Sequence, residues 1–119
     1  MKVAVIGASD KPDRYSYKAL MLLKENGHEV FPVHQRIKQI EGMNVYPSIK
    51  DITEPIDTIS MYVASDISSV LGEDILAQKP RRIIFNPGAE NPDLADKARQ
   101  RGIVPINACT LVMLNTGQF

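Results

Sequence analysis

Gly7-Ala8-Ser9 are the residues of this chain best suited to hold a phosphate: they directly follow the β-branched run Lys2-Val3-Ala4-Val5-Ile6 and precede a segment of helical period. A strand that ends in a small-residue turn and feeds a helix lets backbone N–H groups approach a diphosphate closely, and the helix N-terminus adds partial positive charge. Ser9 can add its hydroxyl, and Arg14 can reach a phosphate from the polar stretch 10–14. The turn is neither G-x-G-x-x-G nor the Walker sequence. Its place behind the first strand of an α/β series is what makes it a phosphate site. On that reading Gly7→Val should abolish binding with little loss of fold, because a side chain there would fill the space the diphosphate needs.

A second group follows the next apolar run. After Val33 come His34, Arg36 and Lys38, with no acid among them. An NAD site usually places Asp or Glu at the end of its second strand to hold the ribose 2′-hydroxyl. A basic cluster suits a ribose carrying a phosphate, as in NADP or in coenzyme A with its 3′-phosphate, where a charged hydrogen bond contributes roughly 1.5–3 kcal/mol. Cys109, the only cysteine, has no Cys-x-x-Cys or metal spacing around it. It reads as a small buried hydrophobe or as a thiol near the ligand groove, able to exchange with a ligand thiol. Glu90, Asp93 and Asp96 read as helix-start and surface charges, and His28 as a surface residue. Tyr15-Ser16-Tyr17-Lys18 lies in the first helix, the wrong place for the Tyr-x-x-x-Lys chemistry of some dehydrogenases.

These residues need a scaffold, and the pattern supplies one. Residues 2–6 and 56–63 are apolar without alternation, as in strands covered on both faces. Further strands are expected at 29–33, 82–85 and 103–106, with helices starting near Tyr15 or Ser16, over 65–78, from Pro92 to the stop at Gly102, and over 109–115. In the first helix Tyr15, Ala19, Leu22 and Leu23 form the expected buried stripe, with Leu20 and Met21 off it. The next opens on a Ser65-Asp66 cap and places Ile67, Val70, Leu71 and Ile75 on one face. Residues 37–47 read as irregular. Strands alternating with helices give a doubly wound five-stranded parallel sheet in a three-layer α/β/α domain covering residues 1–119. Such sheets bind ligands at the carboxyl ends of their strands. That singles out, beyond the two groups above, Tyr62-Val63-Ala64, Asn86-Pro87-Gly88 and Cys109.

Composition narrows the function. At 119 residues the chain has room for one domain and not for a separate substrate domain, which weighs against an enzyme. Fourteen basic and fourteen acidic residues balance, so no global field advertises nucleic acid or an anionic membrane. Residues 1–50 nevertheless carry 8 Lys/Arg against 5 Asp/Glu, a net of +3, and residues 51–119 carry 6 against 9, a net of −3. The positive excess lies in the half that holds the Gly7 turn. No run is long enough to span a bilayer and no secretory pattern precedes the first strand. A lone cysteine suits a reducing cytoplasm.

Val5-Ile6-Gly7-Ala8-Ser9-Asp10-Lys11-Pro12 with Arg14 and Ser16, then Gly27-His28-Glu29-Val30, Pro32-Val33, Val45-Tyr46-Pro47-Ser48, and the later runs 84–92 and 107–112, resemble the small stand-alone CoA-binding proteins. These are similar in fold to the nucleotide-binding domain of the succinyl-CoA synthetase α subunit. The resemblance implies a Rossmann-like sheet whose Gly7-Ala8-Ser9 loop takes the CoA diphosphate. Val33 to Arg36 would border the adenosine, and Tyr62-Val63-Ala64 with Asn86-Pro87-Gly88 would line the rest of the groove. Many members have Asn-Pro after the second-strand valine, where this chain has His34-Gln35. The expected function is a cytoplasmic module that binds CoA or an acyl-CoA without evident catalysis of its own, as carrier, sensor or subunit. The alternatives are an NADP-dependent oxidoreductase and a regulatory domain for adenine nucleotides.

Overall fold

The computed structural model describes residues 1–119 as a five-stranded sheet covered by helices, with a small hairpin beside it. In chain order the elements are β1 (Lys2–Ile6), α1 (Tyr15–Glu25), β2 (Glu29–Val33), β3 (Gln39–Ile40), β4 (Met43–Asn44), β5 (Thr58–Met61), α2 (Ser65–Ala77), β6 (Arg82–Phe85), α3 (Pro92–Gln100), β7 (Val104–Asn107) and α4 (Thr110–Asn115). A 3-10 turn, Ile49–Asp51, lies between β4 and β5. The main sheet runs β2-β1-β5-β6-β7 with every pairing parallel. The expected Rossmann-like α/β arrangement is therefore what the chain adopts.

The layers follow from strand parity. In β1, Val3 and Val5 join Leu20 and Leu23 of α1 in one cluster. Ala4 and Ile6 join the larger cluster that holds Ile75 of α2 and Leu94 of α3. Both faces are dry, which is why β1 shows no alternation. Helix α4 packs beside α1, while α2, α3 and the 3-10 turn close the opposite face.

Four local expectations are corrected. The buried face of α1 is Ser16, Ala19, Leu20 and Leu23, while Tyr15 is 70% exposed. The buried face of α2 is Ser68, Gly72, Ile75 and Leu76, leaving Val70 84% exposed. Small residues turn inward there because α2 lies against α3: a Cβ on Gly72 would sit 3.2 Å from Leu94 Cδ1. The α2 cap is Ala64, with no side-chain cap bond, so Ser65 is already the first helical residue. Residues 37–47, expected to be irregular, contain the antiparallel β3–β4 pair.

The chain leaves β1 for β2 and then returns past β1 to form β5 on its other side. The crevice between the carboxyl ends of β1 and β5 is the switch point where such sheets take ligands. The two edges of the sheet differ. Beside β2, the Tyr46 N–H donates to Pro32 O at 2.9 Å and the His34 N–H donates to Tyr46 O at 3.0 Å, so that edge is partly closed. On β7 the N–H groups of Val104 and Ala108 donate inward to Arg81 and Phe85. Positions 105 and 107 therefore face outward, and 105 is a proline.

At the amino ends of the strands the Asp57 carboxylate accepts from Thr58 Oγ1 at 2.6 Å and from Arg81 Nε and Nη2 at 3.1 and 3.3 Å. Burial alone would raise this carboxyl, but the bonds from Arg81 and Thr58 outweigh it and hold its pKa below the ordinary value. A depressed carboxylate contributes stability that is full above the unfolded pKa, near ~4, and lost as pH falls through the folded value. Asp57→Asn is accordingly expected to flatten the acid limb of stability. Urea midpoints measured between about pH 6 and pH 2 should fall less steeply in the variant than in the parent, and identical slopes would show that the pair contributes nothing.

Candidate functional site

A groove of about 560 Å³ opens at the switch point. Ile6 and Gly7 from the end of β1, and Val33 from β2, meet there. Pro47 and Ile49 form one wall and Val63, Ile67 and Leu71 the other. His34, Gln35, Arg36 and Ser48 complete the lining, and no carboxylate belongs to it. An apolar slot with a basic rim suits a flat heteroaromatic ring attached to an anionic group. Ile67 and Leu71 were expected inside the core. Their i, i+4 spacing is the same for a face turned to a ligand as for one turned to a neighbouring helix. Pro47, Ser48 and Ile49 carry no ligand-binding signal of their own in the sequence, because they follow no strand of the main sheet directly.

Gly7 acts by shape. Its φ is +87°, and a Cβ there would lie 2.9 Å from Val63 Cγ1 and 3.2 Å from the Tyr62 carbonyl carbon. The space that glycine leaves is filled by the chain's own β5 exit and not by open solvent. The expectation that Gly7→Val would spare the fold is therefore corrected: the side chain meets backbone.

Two of the amides in the Gly7 turn are already engaged within the chain. The N–H groups of Gly7 and Ala8 both donate to Val33 O, each at 3.2 Å, which ties the β1 exit to the β2 exit. Ala8 is buried in the core cluster with Leu20 and Leu23. Ser9 Oγ accepts from the Lys11 N–H at 3.1 Å and keeps its own proton to donate. Helix α1 then begins at Tyr15, with no side-chain cap bond from the preceding Arg14 and no acid in its first turn. An uncapped start of this kind leaves N–H donors and the positive dipole end facing outward. The donors available to an anion are thus the Ser9 hydroxyl and the amides of this helix start, with the exposed Arg14 beside them.

The structure separates the other candidates. Lys38 is exposed and outside the groove, its carbonyl accepting from Val45 N–H at 3.0 Å. Tyr62 and Val63 diverge, as strand neighbours must: Val63 lines the groove, whereas Tyr62 packs in the α1/α4 layer. Burial pushes the Tyr62 hydroxyl up to about 12. That hydroxyl is buried with no hydrogen-bond partner, beside the Ser60 and Thr110 hydroxyls, which bond each other at 2.8 Å. Ala64 is exposed at the α2 cap. Asn86 is 1% exposed and holds a buried network, so its side chain is unavailable to a ligand. Pro87 and Gly88 are exposed, with the Gly88 N–H donating to Glu90 Oε1 at 2.9 Å. Cys109 is half-buried just before α4 and outside the groove lining. No group of three His, Cys, Asp or Glu side chains is placed to hold a metal, and no helix is long and apolar enough to cross a membrane.

Comparison with known proteins gives a consistent picture. The model of a family described as CoA binding domain matches residues 1–115. Uncharacterized protein YneT of Bacillus subtilis is 27% identical over 101 residues, covering 85% of this chain and 75% of that one. The acetate–CoA ligase (ADP-forming) II subunit alpha of Pyrococcus furiosus is 39% identical over 56 residues, which is 46% of this chain and 12% of the subunit. Among solved structures, the crystal structure of an uncharacterized protein superposes with a TM-score of 0.94 at 36% identity, covering 99% of this chain and 97% of that one.

Proposed function

The chain belongs to the CoA-binding domain family, and from that membership we propose that it binds coenzyme A or an acyl-CoA in the switch-point groove, as a carrier, sensor or subunit. The observation that carries this reading is the apolar groove with a basic rim opening at Gly7, whose loop leads into an uncapped helix start. The adenine ring fits between Pro47 and Ile49 on one side and Ile67 and Leu71 on the other. The diphosphate is held by Ser9, the first turn of α1 and Arg14, and Arg36 reads the ribose 3′-phosphate. The pantetheine arm runs past Val63 and Ala64 toward the exposed Pro87-Gly88 turn.

Titration calorimetry with CoA, dephospho-CoA, NADP and AMP tests this reading. CoA should bind, and dephospho-CoA should bind roughly tenfold or more weaker, the value of one charged hydrogen bond of about 1.5–3 kcal/mol. Arg36→Ala should erase that difference while leaving dephospho-CoA affinity unchanged. Selective binding of NADP would replace this reading with that of a reductase, and equal binding of AMP and CoA with that of an adenine-nucleotide regulator.

A further inference from the structure

His34 is bonded in a way that fixes its chemical form. Its Nδ1 lies 3.0 Å from the Arg36 amide nitrogen and 3.1 Å from that of Ile37. Backbone amides only donate, so Nδ1 must present its lone pair to both, and the ring proton resides on Nε2. The same residue's N–H donates to Tyr46 O at 3.0 Å, and the carbonyl of Val33 just before it accepts from Gly7 and Ala8. His34 thus stands where the β1 exit, the Tyr46 segment and the Arg36 loop are joined.

We infer that His34 is the positioning residue for Arg36, working as the Nε2–H tautomer and not as a cation that pairs with a ligand phosphate. This rests on the CoA reading for its ligand but not for its chemistry. An acceptor atom at this distance from Cα that bonds the amides two and three residues on is what Asn or Asp supplies in an Asx turn. The imidazole Nδ1 occupies the same role here. The ring fixes the backbone at residue 36 and so aims the guanidinium across the groove rim, leaving Nε2–H as the one donor the ring itself can offer. A proton on Nδ1 would set a donor against two donors and release the loop. His34 is in this way a determinant of specificity that acts through its neighbour.

The test separates this inference from the CoA reading. Nitrogen-15 NMR of the ligand-free protein near neutral pH reports the His34 tautomer directly: Nε2–H is expected, and Nδ1–H or a doubly protonated ring would overturn the inference whatever the ligand. Calorimetry with CoA then compares His34→Asn, which keeps an acceptor, with His34→Ala, which does not. His34→Asn should stay within about threefold of the parent, and His34→Ala should weaken CoA by about tenfold while losing most discrimination against dephospho-CoA. If His34→Asn is as weak as His34→Ala, the acceptor role fails. A parent protein that does not bind CoA refutes the ligand reading alone, since the tautomer is still measured.

Discussion

Gly7→Ala is expected to lower the unfolding free energy by about 2–5 kcal/mol and to abolish CoA binding at the same time. Two costs combine. A side chain at a φ of +87° carries roughly 1–2 kcal/mol of backbone strain. The new Cβ would sit 2.9 Å from Val63 Cγ1 and 3.2 Å from the Tyr62 carbonyl carbon, and forcing an atom into a packed wall costs roughly 1–3 kcal/mol. Relief requires β1 and β5 to separate at the point where the groove opens. Gly88→Ala is the control: its φ is +91°, but nothing lies within 4 Å of the added carbon. That variant should lose only the backbone share, about 1–2 kcal/mol. Urea midpoints of the pair isolate the collision. Equal losses in the two variants would show that the β1–β5 exit relaxes freely.

Asn86→Ala carries the second large effect. The Asn86 Nδ2 donates to Ser60 Oγ at 3.0 Å and Met61 O at 2.9 Å, and its Oδ1 accepts from the Thr110 N–H at 2.8 Å. One buried carboxamide thereby joins β5, β6 and the start of α4. Truncation leaves the Thr110 amide without a partner in a dry interior, at roughly 1–3 kcal/mol, while Ser60 Oγ keeps its bond to Thr110 Oγ1 and Met61 O the one from the residue 86 N–H. A loss of about 1–3 kcal/mol is expected by chemical denaturation, with protection of the α4 amides against hydrogen exchange reduced first. CoA affinity should change little, because Arg36 and the α1 start lie on the far side of β1. A loss below ~1 kcal/mol would mean that water has taken the place of the carboxamide.

The fold is legible because both-face burial leaves a mark: residues 2–6 and 56–63 are apolar without alternation, and the strands within them, Lys2–Ile6 and Thr58–Met61, lie inside a covered parallel sheet. Asn91-Pro92 marked the α3 start, and Asn91 Oδ1 indeed accepts from the Leu94 N–H at 3.1 Å. Side-chain destinations were less legible. Periodicity says that Ile67 and Leu71 share a face but not what that face meets, and it placed Tyr15 inside and Leu20 outside because both stripes are apolar. Asn86 stands at a strand exit, where a ligand contact and an internal pin call for the same residue type, and only the positions of Ser60 and Thr110 decide between them. His34 was read as a cation because its neighbours are basic. The two amides that determine its proton come from a loop conformation that composition does not encode.

The uneven edges of the sheet bear on how this protein behaves when concentrated. An open strand edge is a template on which a second chain can crystallise its own backbone, and growth from it leads to fibrils or amorphous precipitate. Here the β2 side is met by Tyr46, and on the β7 side one of the two outward positions is Pro105, which has no hydrogen to offer. The exposed strand therefore presents a broken ladder to any would-be partner. A residue with an N–H at position 105 would restore a rung to that ladder.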